Sequence, residues 1–185
     1  MRLVVAAVLV AVAIAAALLI VPRLSEACCA DPSAPASGGD TGTRPDGAVA
    51  LTVDHVYDGD SLRAIAVDAE GFADGEVEVR LIGIDAPEGT PTQECGAQES
   101  QSALRGLLPD GATVWVVPGA EPRDRYDRAL VYAWTDAGVF LNAEQLRAGH
   151  ARTLTIEPNT EHAATFADAE RTAQQSGSGI WLACE

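Results

Sequence analysis

Apolar side chains recur in two patterns along this chain of 185 residues, and the first pattern is that of β-strands. Turn residues separate the first three strand-like runs, with Asp58 and Gly59 after the first and residues 71–75 after the second, so these runs predict a meander. Five short strands indicate a small barrel. The predicted strands cover residues 50–56, 62–67, 76–84, 113–117 and 129–134.

The second pattern is helical spacing, which appears in three segments. The first predicted helix covers residues 95–107 and the third covers residues 160–176, with Trp181 beyond it filling the core. The apolar face of the first helix comprises Ala97, Leu104, Leu107 and Leu108. That of the third comprises Ala163, Phe166, Ala169 and Ala173.

The second predicted helix is short. Asn142 is its expected N-cap, Gln145 completes an arrangement like a capping box, and Gly149 ends it. Helices packed on a barrel of five strands predict an α+β domain of the OB-fold type.

The first 27 residues predict an export signal. An apolar run, residues 3–21, follows Arg2 and leads to the small residues Ser25 and Ala27. The signal is either cleaved or retained as a membrane anchor, since the run is long enough to span a bilayer. Lipid attachment at Cys28 is a third alternative. We therefore expect the protein to be secreted, or held at the cell surface through residues 1–27.

Residues 28–47 predict a flexible linker, because they are rich in Pro, Ser, Gly, Asp and Thr and contain almost no large apolar side chain. Residues 48–185 then form the folded domain. Export exposes this domain to an oxidising environment, so Cys95 and Cys184 are candidates for a disulfide that ties down the carboxyl terminus. The alternative is two free buried thiols.

The chain carries a formal net charge of −15, and all of its 12 basic side chains are Arg. Such a charge excludes attraction of a polyanion by the surface as a whole. Any nucleic-acid substrate must therefore be held by a local group of Arg side chains and a bound cation.

Three polar segments are candidates for chemistry: residues 58–61, 80–88 and 124–128. An Asp-Gly-Asp sequence alone is typical of a hairpin turn. Arg80 is more informative, because it interrupts an apolar strand and a charged group there requires a partner or a ligand. The alternative to a ligand is an ion pair with a neighbouring carboxylate, which is plausible in so acidic a chain.

Arg80 and Asp85 are five positions apart and would face opposite sides of a regular strand. Gly83 between them permits a bulge that brings the two side chains together. Pro87 then turns the chain, so that Asp85 and Glu88 can converge on one pocket. Oxygen ligands such as the carboxylates of Asp60 and Asp85 suit Ca²⁺ or Mg²⁺.

These segments resemble the staphylococcal nuclease family. The strongest likeness lies in residues 56–61, 79–88 and 124–132, in that order and with matching spacing. It continues through residues 142–151, 158–162 and 179–181, so the resemblance covers about residues 53–181.

The resemblance implies a Ca²⁺ site and an attacking water. Asp60 and Asp85 would be carboxylate ligands of one Ca²⁺ ion, with the backbone carbonyl of Ala86 as a third protein ligand and Asp58 behind them. Glu88 would orient or deprotonate the water.

It also implies how phosphate is held. Arg80 and Arg128 would bind the oxygens of the reacting phosphate, and Arg125 and Tyr126 would hold a neighbouring phosphate. The implied reaction is cleavage of the P–O5′ bond of DNA and RNA, which leaves 3′-phosphates. We expect a monomer.

Two positions depart from the family pattern: Thr155 and Glu157 stand where a well-known member has Tyr side chains that help to seat the nucleotide. Affinity could fall for this reason. The alternative function is a catalytically silent OB-fold module that binds nucleic acid or protein. A silent module would not need Arg80, Glu88 and Arg128 together.

Overall fold

A closed barrel of five strands forms the body of the protein in a computed structural model, which describes residues 43–184. The barrel strands are β1 (Val49–Val56), β2 (Ser61–Ala66), β3 (Gly75–Leu81), β5 (Thr113–Arg123) and β6 (Ala129–Thr135). They follow the order β1-β2-β3-β6-β5 around the barrel, and the β3–β6 contact is the parallel one. The predicted OB-type α+β fold is thereby confirmed, including the β1-β2-β3 meander.

Alternation of apolar and polar positions explains why these segments close into a barrel. In β1, Leu51 and Val53 are buried while Thr52 and Asp54 face solvent, and an irregularity between Val53 and His55 allows Val56 to be buried as well. Strand β6 is buried along most of its length, as expected of a strand covered by helices on its outer side.

The predicted strand over residues 76–84 is divided in two, because Gly83 adopts a left-handed backbone with φ +80°. Strand β4 (Gly83–Asp85) leaves the barrel and pairs antiparallel with β7 (Arg152–Leu154). A Cβ at position 83 would also lie 2.3 Å from the Phe166 ring, so glycine is required there by packing as well as by conformation.

Three helices and one short helical turn cover the barrel: α1 (Ala97–Leu107), α2 (Leu141–Arg147), α3 (Ala163–Ser176) and α4 (Ile180–Ala183). The predicted apolar faces need small corrections. Ser100 lies on the buried face of α1 while Leu107 is only partly buried, and Ala163 is partly buried at the start of α3.

Two predictions about the helices were wrong. Asn142 is not an N-cap, because α2 begins at Leu141 and Asn142 lies within the helix. Its side chain is buried and forms hydrogen bonds to the barrel. Trp181 does not fill the core, because it is half-buried and lies beneath the guanidinium of Arg152. Ile180 is the residue of α4 that is buried.

A disulfide joins Cys95, just before α1, to Cys184, just after α4, with a Cα–Cα distance of 5.7 Å. Of the helices within residues 43–184, none is long and apolar enough to cross a membrane. The predicted signal or anchor over residues 1–27 and most of the predicted linker lie outside the described residues.

Candidate active site

Arg80, at the end of β3, is the centre of the candidate site. One guanidinium nitrogen, Nη1, lies 2.6 Å from Oδ2 of Asp60, and the other, Nη2, lies 3.0 Å from Oδ1 of Asp85. Nη1 also donates to the carbonyl oxygen of Ile84 at 2.9 Å. The interruption at Gly83 therefore brings Arg80 and Asp85 together, as predicted, and the ion pair expected of a charge in an apolar strand is present as well.

Asp60 is almost completely buried, and its oxygens are held from several sides. Oδ1 accepts the Ser61 hydroxyl at 2.8 Å, and Oδ2 accepts the backbone N–H of Ala86 at 2.6 Å. Burial raises the pKa of Asp60 to about 7, because the opposing charge of Arg80 does not outweigh the loss of solvent and Asp58 adds further repulsion. Loss of solvent is therefore the main influence on the charge state of Asp60.

Close packing fixes the turn that carries Asp60. A Cβ on Gly59 would lie 1.7 Å from Oγ of Ser100 and 2.8 Å from Cβ of Ala86, so only glycine fits there. The Gly59 carbonyl accepts a hydrogen bond from Nε2 of Gln145 at 2.7 Å. Helices α1 and α2 therefore both hold the turn in place.

Glu88 lies in the loop between β4 and α1, close to the charges of Asp58, Arg80 and Asp85. Partial burial, followed by the repulsion of Asp58, raises the pKa of Glu88. Glu94 closes the loop, since its carboxylate accepts the N–H of Glu88 at 3.0 Å and its own N–H donates to the Glu88 carbonyl at 2.9 Å.

Arg128 is held by the tight turn between β5 and β6. Asp124 accepts the Arg128 side-chain Nε–H at 2.7 Å and the Arg128 backbone N–H at 3.0 Å. It also accepts the N–H of Tyr126 at 2.9 Å, and Asp127 completes the turn with a left-handed φ of +67°. Burial alone would raise the pKa of Asp124, but the hydrogen bonds from Arg128 outweigh it and lower that pKa.

Arg125 and Tyr126 project from the same turn into solvent. The Arg125 guanidinium lies 4.7 Å from the centre of the Tyr126 ring and donates to its hydroxyl at 2.6 Å. Tyr126 is 65% exposed, so one face of this pair is accessible to a ligand.

A pocket of about 460 Å³ opens between these groups. Arg80, Arg128, Arg125 and Tyr126 line it together, so the structure brings the four predicted phosphate-binding residues to one cavity. Asp60, Asp85, Ala86 and Glu88 do not line this cavity. They adjoin it through Arg80, which contacts both Asp60 and Asp85.

The two positions that depart from the family pattern, Thr155 and Glu157, do not both lie at the pocket. Glu157 lines the cavity, but Thr155 does not, although it is exposed. Leu154 and Ile156 contribute aliphatic surface beside Glu157, and Ile156 is 61% exposed.

Within residues 43–184, no three His, Cys, Asp or Glu side chains converge on a preformed metal site. The donor set at Arg80 nevertheless fits a hard divalent cation. Asp60 and Asp85 supply carboxylate oxygens that are both paired with Arg80, and the buried Ala86 follows Asp85 directly in the chain. These residues would suit Ca²⁺ rather than a metal that prefers nitrogen or sulfur ligands.

Known proteins are similar to this chain in amino-acid sequence. A family model described as a staphylococcal nuclease homologue matches residues 78–183. The thermonuclease of Staphylococcus intermedius is 32% identical over 133 residues, which are 70% of this chain and 74% of that protein. The thermonuclease of Staphylococcus hyicus is 32% identical over 130 residues, covering 68% and 72% of the two chains.

The chain belongs to the staphylococcal nuclease family. A further relative is Endonuclease YhcR of Bacillus subtilis, which is 31% identical over 139 residues; these are 70% of this chain but 11% of that larger protein. Staphylococcal nuclease relatives thus include both proteins of similar size and a much longer one. The resemblance found in the sequence is confirmed, and it makes this protein a member of a nuclease family.

Three supporting residues of this staphylococcal nuclease domain were missed as such by sequence reasoning. Asp124 positions Arg128, Gln145 holds the Gly59 carbonyl, and Asn142 joins the barrel strands. The Asn142 side chain accepts the N–H of Ala133 at 3.0 Å and donates to the Ile82 carbonyl at 2.8 Å. Polar residues on the buried side of a helix were the available signal, because a buried amide requires partners.

Proposed function

We propose that this protein is a Ca²⁺-dependent nuclease that hydrolyses the P–O5′ bonds of DNA and RNA and leaves 3′-phosphate ends. One observation carries the proposal. Arg80 forms ion pairs with Asp60 and Asp85, two carboxylates suited to a cation, and it also lines the pocket together with Arg128. A phosphate in that pocket would lie beside two Arg residues, because Arg80 and Arg128 both line it. A binding module has no need of this combination.

Asp60, Asp85 and the carbonyl of Ala86 would hold the Ca²⁺ ion, and when bound the ion would polarise a phosphate oxygen of the substrate. Its charge would also favour the ionised form of Asp60, which burial disfavours.

Arg80 and Arg128 bind the phosphate oxygens through planar N–H pairs. Their charge stabilises the five-coordinate phosphorus of the transition state, which is more negative than the bound diester. Arg80 is held by Asp60 and Asp85, and Arg128 is held by Asp124, so both donors are positioned before substrate binds. Such preorganisation is the largest contribution that a protein makes to this kind of reaction.

Glu88 acts on the attacking water. It accepts or orients the proton as the water oxygen forms its bond to phosphorus and the P–O5′ bond breaks, with O5′ taking a proton from solvent. A carboxylate with a raised pKa is a better proton acceptor at neutral pH than an ordinary Glu, which supports this role. Glu94 holds the Glu88 backbone at both its N–H and its carbonyl.

Arg125 and Tyr126 would hold the neighbouring phosphate, as an exposed pair on the rim of the pocket. Because the chain has 27 acidic and 12 basic side chains, these few Arg residues supply nearly all of the local attraction for nucleic acid. The protein acts as a monomer. We further propose that it works outside the cell, either secreted or tethered to the surface by residues 1–27.

Digestion of denatured DNA and of RNA by the purified full-length protein tests the proposal. Degradation should require Ca²⁺, stop when a chelator is added, and resume when Ca²⁺ is restored in excess. Tight binding of nucleic acid without cleavage would favour the silent OB-fold module instead. Cleavage unaffected by chelation would remove Ca²⁺ from the proposal.

A further inference from the structure

Arg152 lies next to the candidate active site, on the strand that also carries Leu154 of the pocket wall. It opens β7 and stands directly opposite Asp85 of β4. Residues opposite one another in an antiparallel pair project to the same face, with their Cβ atoms about 5 Å apart. The Asp85 side chain is 57% exposed, so this face is open to solvent.

The Arg152 guanidinium lacks a carboxylate partner among residues 43–184. Three Arg residues in this part of the chain share that property, and two of them have other hydrogen-bond acceptors. Arg105 donates to the Val56 carbonyl, and Arg125 donates to the Tyr126 hydroxyl. The Arg residues that do have a carboxylate within 4.0 Å are Arg44, Arg63, Arg80, Arg123, Arg128, Arg147 and Arg171.

Arg152 contacts an aromatic ring instead of an acid. Its guanidinium carbon lies 4.3 Å from the centre of the Trp181 ring. Such a contact orients the guanidinium while leaving its N–H groups free to donate. Trp181 is itself fixed, because it belongs to α4, which the disulfide between Cys184 and Cys95 ties to the start of α1.

The acidic composition of the chain gives the guanidinium of Arg152 a meaning for ligand binding. In a chain with more than twice as many acidic as basic side chains, a guanidinium that forms no salt bridge among residues 43–184 is able to bind an external anion. Its neighbour Asp85 is already paired with Arg80 through Oδ1. The anion best suited to a planar guanidinium at this place is a phosphate group.

We propose that Arg152, oriented by Trp181, binds a phosphodiester next to the one that is cleaved, on the β7 side of the site. This inference rests on the proposed nuclease function and adds to it a contact made by polynucleotides. A dinucleotide, whose single diester occupies the reaction site, does not use Arg152. A longer strand does, so the subsite makes the enzyme favour polymeric substrate.

The test compares Arg152→Ala with Arg44→Ala. Arg44 is a matched control, because its guanidinium lies 3.8 Å from the centre of the Trp115 ring and it pairs with Asp136, just beyond the end of β6 that is remote from Arg128. Each variant loses one positive charge and one contact with Trp. Both should keep the wild-type circular dichroism and thermal unfolding profile.

Steady-state kinetics are measured on a long single-stranded oligonucleotide and on a dinucleotide, each as a function of salt. Arg152→Ala should raise KM for the long strand about fivefold with kcat nearly unchanged, and leave the dinucleotide unaffected. The salt dependence of log(kcat/KM) for the long strand should become shallower by about 0.7, as for the loss of one phosphate contact. Arg152→Lys should restore the salt dependence.

The inference is overturned if Arg152→Ala matches Arg44→Ala on the long strand, or if it loses as much on the dinucleotide. Either result would leave the proposed function intact. If the wild-type protein cleaves neither substrate, the proposed function fails. Binding of the long oligonucleotide in chelator still decides the inference in that case, since a phosphate contact weakens in Arg152→Ala and not in Arg44→Ala.

Discussion

Replacing Asp124 with asparagine removes one negative charge from the turn that positions Arg128 and keeps its shape. The asparagine carbonyl can still accept a backbone N–H, but its amide nitrogen would face Nε of Arg128, donor against donor. The wild-type carboxylate accepts that Nε–H at 2.7 Å and the Arg128 backbone N–H at 3.0 Å. Asp124→Asn should therefore release the guanidinium of Arg128 from its place on the pocket wall.

The expected size of the effect of Asp124→Asn follows from the solvent exposure of the two side chains. A hydrogen bond to a charged group contributes about 1.5–3 kcal/mol when shielded from water. The side chains of Asp124 and Arg128 are 17% and 34% exposed, so solvent screening reduces the contribution to about 1 kcal/mol. Loss of that much positioning free energy predicts a fall in kcat/KM of about fivefold, together with a loss of stability of about 1 kcal/mol.

The pH dependence has a definite sign. Because the folded pKa of Asp124 is lowered, its stabilising effect is present above the unfolded value of about 3.9 and is lost as pH falls through the lower folded value. Wild type and Asp124→Asn should thus differ in stability by the same amount at about pH 5 and pH 7. The difference should shrink below about pH 4.

Urea unfolding at several pH values measures this difference, with Asp168→Asn as the control. Asp168 pairs with Arg171 on the surface of α3, where the side chains are 71% and 58% exposed, so its loss should change stability by less than about 0.5 kcal/mol. Equal effects of the two variants at neutral pH, or normal kcat/KM in Asp124→Asn, would refute the assignment of Asp124 as the residue that positions Arg128.

Two further predictions concern the frame of the site. Gly59→Ala should destabilise the protein by about 1–3 kcal/mol and lower kcat, because the added Cβ would overlap Ser100. The control is Gly106→Ala in α1, where the added Cβ meets open space and should not destabilise the protein. Equal urea midpoints for the two variants would contradict this prediction. Peptide mapping after alkylation without reductant should recover Cys95 and Cys184 as one linked pair, and alkylated peptides from both would show that the bridge is absent.

Much of the fold could be predicted because period-2 alternation and turn residues act locally. Leu51 and Val53 follow this alternation in β1, and Asp58 and Gly59 provide the turn after it. Gly83 was expected to form a bulge, whereas it divides the predicted strand over residues 76–84 into β3 and β4. The pairing of β4 with β7 was not predicted. Its strands have three residues each, which is too short for alternation to stand out from chance.

The candidate site shows a similar division. Arg80, Asp60 and Asp85 could be grouped from the sequence, because a charge in an apolar strand demands a partner and Gly83 provides the necessary bend. Asn142 and Gln145 could not be assigned, since an amide at the start of a helix also suits a cap. Their true partners, the carbonyls of Ile82 and Gly59, are 60 and 86 positions away and become neighbours only in the folded chain.

The most direct test of the proposed nuclease function compares Arg128→Ala with wild type. The measurement is the rate at which each protein cleaves an oligonucleotide in the presence of Ca²⁺. Arg128 is held on the surface of the pocket, so its truncation should leave the core and the circular dichroism spectrum unchanged. We expect 3′-phosphate products from wild type and a fall in kcat of about 100- to 1000-fold in the variant, as for loss of a preorganised transition-state donor. A folded Arg128→Ala protein that cleaves at nearly the wild-type rate would contradict the role proposed for Arg128.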